Sequence, residues 1–480
     1  MPIQSISFGT TSNPNRNDTQ GVLVNCYAEN LGEENEVRYA LYACDGYSSF
    51  STLTGSGAGV CKGMLNFDDT TLYVVTGQRI NRVNTSGTAT DMGALATSGY
   101  AYMARNRKDP NAQIGIVTSD GLFRIIENNS VSTPSVDPDI PTFNSICALD
   151  GYFIFTAANG EWFVSSIDEG ATIDELDFAQ AQSNPDGILR GIVRGRDVLI
   201  CGPRSIEAYQ NTGATDFPFE RVTAINFGVA YAPAMVNLAA VTDGGTQDVV
   251  IFPGNNADGS YAGVMMLEGY GAKTFSPSAL DRAILAEPTK SSIRAFTYAR
   301  NGHVFYTITG SSFTWEYNAS LGRWHQRKSA SSSIWNVVDA VNFNSQTIFA
   351  DKTSASLYQA SSSLTPGSAS QIKLRHSNNG GSTWSPERSK AVGTSKTQRV
   401  RFPALGTSRE DGKVFEVTFS NAIVEAGVGT DMQVITPPVH AFPRRMIFDH
   451  LYVNITSGVS QSSSAKGFVN LAVDATAVDA

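Results

Sequence analysis

Seven segments of the 480-residue sequence repeat one pattern, in which an apolar strand, a turn containing Gly, Asn or Asp and a second strand follow one another. They lie at 71–83, 114–126, 151–165, 196–210, 248–267, 303–317 and 346–358. This pattern predicts β-hairpins. Successive hairpins begin about 40 to 55 residues apart, which is the period of propeller blades. We therefore predict an all-β fold with a six- or seven-bladed β-propeller at 56–360; two β-sandwiches are the alternative, although they do not require so even a spacing.

The remaining chain predicts three further segments. Residues 1–55 are rich in turns and predict an N-terminal arm or edge strands, and the small polar run at 361–370 predicts a linker. Alternating segments at 372–375, 399–402, 414–419, 432–435, 446–454 and 468–472 predict a C-terminal, β-sandwich-like domain at 371–480.

Local signals add two helices and one turn to this scheme. The segments 168–181 and 278–286 are the two that favour a helix. Pro185-Asp186-Gly187 predicts a tight turn, because proline presets φ at an early turn position and glycine tolerates positive φ.

Composition excludes several classes of protein. Net charge is −9, whereas tight binding of duplex DNA needs an excess of Lys and Arg to displace phosphate counterions. The sequence contains no run of about 18 apolar residues, so we predict no membrane span. The N-terminus does not resemble a signal peptide. The five cysteines (Cys26, Cys44, Cys61, Cys147, Cys201) show no zinc-ligand spacing and predict small buried side chains of a protein folded in a reducing cytoplasm. The five histidines (His303, His325, His376, His440, His450) show no metal-binding or catalytic spacing either.

One motif raises the alternative of a glycan-cleaving enzyme. The run 377–384 resembles the Asp-box of sialidase-type propellers, with Asn379 at the aspartate position, and we expect Asn379 and Gly381 to accept left-handed geometry in its turn. A glycosidase also needs two carboxyl groups, or a tyrosine and a carboxyl group, at a defined separation. Glu161, Asp168 and Glu207 are candidates, but no sequence feature pairs them. The sequence therefore predicts a protein that is not an enzyme, with no catalytic, cofactor-binding or metal-binding residue and no cofactor.

Basic residues concentrate in one part of this acidic chain. Residues 371–413 hold nine of them against three acids: Lys373, Arg375, Arg388, Lys390, Lys396, Arg399, Arg401, Arg409 and Lys413. This segment has a net charge of +6, which leaves −15 for the remainder. A solvated surface, electrostatic docking between copies and contact with DNA phosphates are the three interpretations, and the acidic total disfavours the last.

Several motifs in order along the chain resemble a family of virus proteins. They are Ser183-x-Pro185-Asp186-Gly187-Ile188, Ser205-Ile206-Glu207 and Thr212-Gly213, with Met1-Pro2-Ile3, Val24-Asn25-x-Tyr27-Ala28-Glu29 and the run from Leu374 through Arg409 to Val424. Together they resemble the tail hub or nozzle proteins of short-tailed bacteriophages (podoviruses), also called packaged-DNA stabilisation proteins. The resemblance is densest in the middle of the chain and weakest after about residue 430.

The resemblance implies a structural virion protein of the viral tail, folded in the host cytoplasm. It implies a homo-oligomer, a hexameric ring below the portal and adaptor, that continues the DNA exit channel, retains packaged DNA until ejection and carries tail needle, tailspike or fibre proteins. Genomic DNA would pass without tight specific binding. A sialidase-like propeller and a receptor-binding tail protein remain the alternatives, although the short repeats of a β-helical tailspike are not apparent.

Overall fold

The structure is a computed structural model in which the chain separates into two compact units. It describes residues 4–6, 21–30, 39–184, 186–215, 217–242, 245–361, 371–392, 397–408, 412–439, 445–456 and 468–478. The first unit consists of residues 1–48, 312–335 and 360–480, and the second of 49–311 and 336–359. Among the described residues, no helix has the length and apolar character needed to cross a membrane.

The second unit contains seven successive sheets among its described residues, preceded by N-terminal strands. The N-terminal strands are β1 (Gln4–Ser5), β2 (Val22–Val24), β3 (Cys26–Asn30), β4 (Tyr39–Ala43) and β5 (Gly46–Thr52), of which β5 crosses from the first unit into the second. The first sheet comprises β6 (Cys61–Asn66), β7 (Thr71–Thr76), β8 (Arg79–Asn84) and β9 (Ala89–Ala94). The second comprises β10 (Ala101–Arg105), β11 (Ile114–Thr118), β12 (Phe123–Glu127) and β13 (Ser130–Ser132). The third comprises β14 (Phe143–Leu149), β15 (Tyr152–Ala157), β16 (Glu161–Ser166) and β17 (Glu169–Gln180). The fourth comprises β18 (Arg190–Arg194), β19 (Asp197–Cys201), β20 (Ile206–Asn211) and β21 (Phe219–Ile225).

The last three sheets differ in strand number. The fifth comprises β22 (Phe227–Val229), β23 (Val236–Thr242), β24 (Gly245–Asn256), β25 (Tyr261–Glu268) and β26 (Gly271–Thr274). The sixth contributes β27 (Arg294–Arg300) and β28 (His303–Thr309) to this unit, and the seventh β31 (Val337–Phe343), β32 (Gln346–Asp351) and β33 (Ser356–Ser361). Helix α1 (Ser278–Ala286) and two 3₁₀ turns (Ala232–Ala234, Lys290–Ser292) interrupt the strands.

The seven sheets close into a propeller. The innermost strands touch in the order β6, β10, β14, β18, β23, β27 and β31, and β31 touches β6 again. Buried apolar clusters lie between neighbouring sheets; one between the first and second contains Val75 and Ile116, and one between the seventh and first contains Ile348 and Leu72. Because the innermost strands form a closed ring, the predicted all-β propeller is confirmed, and it has seven blades among the described residues.

The predicted hairpins are the central strand pairs of these blades. In five of the first six hairpins, both strands belong to the same blade. In the first blade, for example, Thr76 pairs with Arg79 across a turn in which Gly77 has φ 53°. The seventh hairpin, β32 with β33, also lies within one blade. The sixth is divided between the units, because β28 belongs to the second and β29 (Thr314–Asn318) to the first.

The first unit contains two sheets among its described residues. Its further strands are β30 (Arg323–Gln326), β34 (Gln371–Ser377), β35 (Arg388–Ala391), β36 (Thr397–Thr407), β37 (Val414–Glu425), β38 (Val428–Ile435), β39 (Arg445–Thr456) and β40 (Phe468–Val478). One sheet runs β3-β4-β40-β39-β36, and β1 also pairs with β40. The other runs β29-β30-β2-β38-β37-β34-β35. Phe415 of β37 contacts Phe448 of β39 edge to face, with 5.7 Å between centroids, so the two sheets face each other as in a β-sandwich.

The structure confirms one predicted helix and contradicts the other. Residues 278–286 form α1, with Leu280 and Ile284 buried one turn apart. The prediction of a helix at 168–181 is wrong, because residues 169–180 form strand β17. Phe163 of β16 pairs with Phe178 of β17 and stacks on it at 5.6 Å, so packing onto the third blade overrides the local helical preference.

The two units are assembled from segments distant in the sequence. Residues 1–48 and 312–335 group with 360–480, whereas the sequence predicts contiguous domains at 56–360 and 371–480. Pairing explains this grouping: Val24 of β2 pairs with Gln326 of β30, and Leu23 with Val434 of β38. Most of the predicted linker, 362–370, lies outside the described residues, as does Pro185 of the predicted turn, in which Gly187 has φ 76°. All five cysteines are buried and free, as predicted.

Candidate interaction surface

Two of the three carboxylates proposed for glycan cleavage, Glu161 and Glu207, accept hydrogen bonds from nearby residues. Glu161 is the first residue of β16 and accepts a hydrogen bond from Asn159 Nδ2 (2.7 Å). Asp168 lies beyond the other end of this strand, and the rise per residue of a strand separates the two by about 17 Å or more. Glu207, in the next blade, accepts hydrogen bonds from the Tyr209 hydroxyl (2.6 Å) and the Ser183 amide (2.7 Å). Burial acts to raise the pKa of Glu207, but these hydrogen bonds outweigh it and lower the pKa. Because they lie at opposite ends of β16, Glu161 and Asp168 cannot form a glycosidase pair.

The motif that resembles an Asp-box forms a turn after β34 in the first unit. The Thr383 amide donates to Asn379 Oδ1 (3.0 Å), and the Gly381 amide donates to Ser377 Oγ (2.9 Å). The left-handed residues are Gly380 (φ 61°) and Gly381 (φ 97°), so the expectation of left-handed geometry holds for Gly381 but is wrong for Asn379, which instead caps the turn with its side chain. These bonds hold the turn together and assign it a structural role.

The basic segment separates into groups with different surroundings. Arg375 forms a bidentate ion pair with Glu416, in which Nε donates to Oε1 (3.1 Å) and Nη2 to Oε2 (2.6 Å), and Lys373 lies 3.6 Å from Glu387. Lys413 is fully buried, with its ammonium group on the carbonyl oxygens of Leu405 and Gly406. Lys396 and Arg409 lie outside the described residues.

Four basic side chains gather along the outer edge of β36, and we call them the basic edge: Arg388, Lys390, Arg399 and Arg401. Among the described strands β36 is the last of its sheet, and no described strand pairs with its outer carbonyl groups. Lys390 Nζ donates to the carbonyl oxygen of Arg401 (2.7 Å), and Arg388 donates to that of Pro403 (2.8 Å). These bonds protect the edge from pairing with another strand.

The exposed members of the basic edge have no carboxylate partner among the described residues. Arg399 lies over the ring of Tyr452 (5.4 Å) and donates to Asn454 Oδ1 (2.7 Å), while Arg401 contacts the imidazole of His450. Lys390, Arg399 and Arg401 are exposed. The surface therefore presents uncompensated positive charge beside an aromatic ring, which suits an acidic protein surface or a polyanion.

An acidic surface of opposite character lies on the propeller, and we call it the acidic knob: Asp137, Asp139, Glu175 and Leu176. One carboxylate oxygen of each of the three acids lies within 4.8 Å of the others, and all three residues are exposed. The knob arises where β17 bulges, because Phe163 pairs with Phe178 but Ser165 pairs with Ile173, so the four residues 174–177 between them do not pair with β16. Leu176 in this bulge is 76% exposed. The knob was not predicted, because 168–181 favours a helix in sequence and because Asp137 and Asp139 lie more than 30 positions before Glu175.

Comparison with known proteins supports the fold and identifies a family. The family model described as "Bacteriophage P22 Gp10, beta-propeller" matches residues 5–365, more than half of the chain. A comparison with curated protein sequences finds no match.

Among solved structures, virginiamycin B lyase from Staphylococcus aureus is 12% identical, with a TM-score of 0.44, over 65% of this chain and 97% of that chain. The WD40 β-propeller domain of Doa1 is 14% identical, with a TM-score of 0.38, over 66% and 96%. The WD40 domain of Pan2 from Neurospora crassa is 9% identical, with a TM-score of 0.43, over 66% and 95%. At these values the likenesses carry no argument about function.

Proposed function

Because the chain belongs to the bacteriophage P22 Gp10 β-propeller family, which stabilises packaged DNA, we propose that it is a non-enzymatic structural protein of the phage tail. In this proposal it forms a hub or nozzle ring, a hexamer below the portal and adaptor, that continues the DNA exit channel and retains the packaged genome. Needle and tailspike or fibre proteins would dock on it. The observation that carries the proposal is the family match across the propeller.

The physical properties of the propeller suit this role. A propeller whose blades bury their faces against one another is stiff, and a stiff subunit can hold large interfaces in a ring. A net charge of −9 suits the wall of a channel, since DNA binds tightly only to proteins that release many phosphate counterions. The genome would therefore slide past the ring without being gripped.

Charge complementarity supports a specific mode of assembly. A cyclic ring uses heterologous interfaces, in which two different surfaces of each copy meet. We propose that the basic edge of one copy docks on the acidic knob of the next, with Leu176 as the apolar centre of the contact. Charges of this kind mainly accelerate and align association.

Electron microscopy tests the ring. Negative-stain images of the purified protein, alone and with the adaptor, should show closed rings with six-fold symmetry. Particles that remain monomeric under both conditions would contradict the proposed assembly. Virions from which this protein has been removed should lose their DNA; full retention would contradict a role in holding the genome.

Charge reversal tests the docking mode. The double variant Arg399→Glu/Arg401→Glu should slow ring assembly by at least about tenfold at low salt, because like charges then face each other. Adding Asp139→Lys/Glu175→Lys should recover most of the loss. Arg196→Glu reverses an exposed arginine elsewhere on the propeller and serves as the matched control. Assembly that is insensitive to both salt and these variants would exclude the electrostatic contact while leaving the ring itself intact.

A further inference from the structure

Three side chains with metal-binding atoms meet inside the first unit: Cys44, Glu316 and His325. They are 2%, 0% and 1% exposed, respectively. Cys44 Sγ lies 3.3 Å from His325 Nε2, and Glu316 Oε1 lies 2.8 Å from the same nitrogen. All three atoms lie within 4.8 Å of one another. One thiol, one imidazole and one carboxylate therefore converge on a single buried point.

The backbone holds these three groups in place. Glu316 and His325 stand directly opposite each other in the antiparallel pair β29–β30, which sets both side chains on one face. Cys44 follows β4, and its amide donates to the carbonyl oxygen of Asn25 (2.9 Å). Asn25 in turn binds the backbone of Lys328 and Asp431 through its side-chain amide (2.9 and 2.8 Å). The convergence is thus fixed by the pairing of β29 with β30 and, for Cys44, by its hydrogen bond to Asn25.

The geometry separates two kinds of site that use these residue types. In a nucleophilic triad the imidazole bridges the two partners, with the thiol on one ring nitrogen and the carboxylate on the other. Here the thiol and the carboxylate both lie on Nε2. Convergence of sulfur, nitrogen and oxygen atoms on one point is instead the arrangement of a metal site with mixed ligands.

We propose that Cys44, Glu316 and His325 bind one divalent metal ion of the zinc class, with the fourth coordination position left to a small ligand such as water. Zinc bonds of about 2.0 to 2.3 Å place tetrahedral ligands about 3.4 to 3.6 Å apart. The 2.8 Å contact between Glu316 and His325 therefore lengthens by roughly half an ångström when the ion enters, and the 3.3 Å contact between Cys44 and His325 by about 0.3 Å. The thiolate and the carboxylate balance the two charges of the ion.

A nearby arginine is compatible with this ion. Arg327 NH1 lies 3.4 Å from Glu316 Oε1, but the same guanidinium donates to the carbonyl oxygen of Asp45 (3.0 Å) and lies 3.9 Å from the ring centre of Trp335. It interacts electrostatically with Glu425 as well, whose carboxylate accepts from Trp335 Nε1 (2.9 Å). These partners hold Arg327 when Glu316 turns towards the metal.

The ion would join parts of the first unit that are far apart in sequence. Cys44 comes from the N-terminal segment, whereas Glu316 and His325 come from the segment 312–335. Because such a site does not exist in the unfolded chain, the free energy of metal binding stabilises the folded unit. The role is structural and independent of the proposed function in the tail.

Metal content and spectroscopy of the full chain test the proposal. Protein loaded with Zn²⁺ and dialysed against metal-free buffer should keep about one zinc per chain by elemental analysis. With Co²⁺ as the probe, wild-type protein should show a sulfur-to-metal charge-transfer band and the visible bands of tetrahedral cobalt. X-ray absorption of the zinc form should show one sulfur at about 2.3 Å and nitrogen or oxygen atoms at about 2.0 Å.

Matched cysteine variants identify the ligand. Cys44→Ser and His325→Gln should reduce bound zinc at least about tenfold, whereas Cys61→Ser, at another buried free cysteine, should leave it unchanged. Wild-type protein that retains no zinc after loading would overturn the proposal, as would zinc that persists in Cys44→Ser. If the variants do not fold, the wild-type absorption spectrum decides alone, since a metal without a sulfur neighbour excludes Cys44.

Discussion

At the scale of single residues, Lys413 shows why a basic sequence run is not a basic surface. Its ammonium group lies in the first unit on two backbone carbonyl oxygens and 5.2 Å from the ring centre of Phe448. Burial lowers the pKa of Lys413 from 10.5 to about 8. The side chain therefore supports the fold at a cost in desolvation and does not contribute to the basic edge.

The depressed pKa of Lys413 predicts a pH dependence of stability. Between about pH 8 and pH 10.5 the unfolded chain binds more protons at this site than the folded chain, so the free energy of unfolding rises with pH. Between pH 7.5 and pH 10, wild-type protein should gain about 2 kcal/mol relative to Lys413→Met, measured by urea unfolding. Lys390→Met, which removes an exposed lysine, controls for the loss of one charge. Parallel pH profiles of wild-type protein and Lys413→Met would contradict the assignment.

The basic segment is visible in the sequence, but which of its side chains are exposed is not. Composition singled out nine cations, and only the structure distinguished the ion-paired Arg375 and the buried Lys413 from the exposed Arg399 and Arg401. The reason is physical: the partner of Arg375 is Glu416, 41 positions later, and no local pattern reveals a pair brought together by strands β34 and β37.

At the scale of elements, the innermost strands of the propeller approach each other so closely that one of them requires glycine. A Cβ atom at Gly63 of β6 would lie 2.2 Å from the carbonyl oxygen of Ala101 on β10. Such a contact with backbone cannot be relieved by a rotamer change. The spacing of the first two blades at the axis therefore depends on the missing side chain.

Substitution of this glycine should loosen the first blade. We expect Gly63→Ala to lower the free energy of unfolding by roughly 1–3 kcal/mol, because the added methyl group forces the two strands apart. Gly271→Ala is the matched control, since it lies in β26 and its nearest neighbour would be Glu268 O at 3.8 Å. Thermal unfolding followed by circular dichroism measures both. Equal effects would show that the close approach does not limit stability.

Strand β17 shows where local preference yields to packing. The run Asp168–Ala181 contains good helix formers, yet β16 pairs with it through Trp162 and Phe163. Phe163 is 3% exposed and stacks on Phe178, and a helix at 169–180 would remove both this contact and the pairing with β16. Differences in helix propensity between residues are small, so contacts with the rest of the blade decide the structure.

At the scale of the whole molecule, closure of the propeller depends on the start of the second unit. The Leu53 amide donates to the carbonyl oxygen of Ala355 (2.8 Å), which joins the beginning of that unit to its last blade. The Leu53 side chain is 5% exposed in the apolar cluster between the seventh blade and the first, with Val338 and Leu72. Chain segments about 300 residues apart thus share one core, a long loop whose closure costs entropy that this core must offset.

Truncation of Leu53 tests this closure. We expect Leu53→Ala to lower the free energy of unfolding by about 2–4 kcal/mol, since it leaves a cavity where the ring joins. Leu176→Ala, which removes the same atoms from a side chain that is 76% exposed, should change it by less than about 0.5 kcal/mol. Urea unfolding measures the difference. A small effect of Leu53→Ala would show that the apolar cluster between the seventh and first blades collapses around the cavity or does not limit the stability of the propeller.

The sequence by itself determined the elements whose signals are local. Alternation of apolar residues and turn chemistry predicted the central strand pairs of the blades, and the local sequence of 278–286 predicted α1. These features depend on contacts between residues a few positions apart, so the pattern is present in the sequence itself.

Only the tertiary structure decided the features that depend on distant segments. It set the number of described blades at seven, placed 312–335 in the first unit and made β17 a strand. It also brought Cys44 beside His325, 281 positions away. Such contacts form because strands close large loops and bury shared surfaces, and neither the closure nor the burial leaves a signal in any short stretch of sequence.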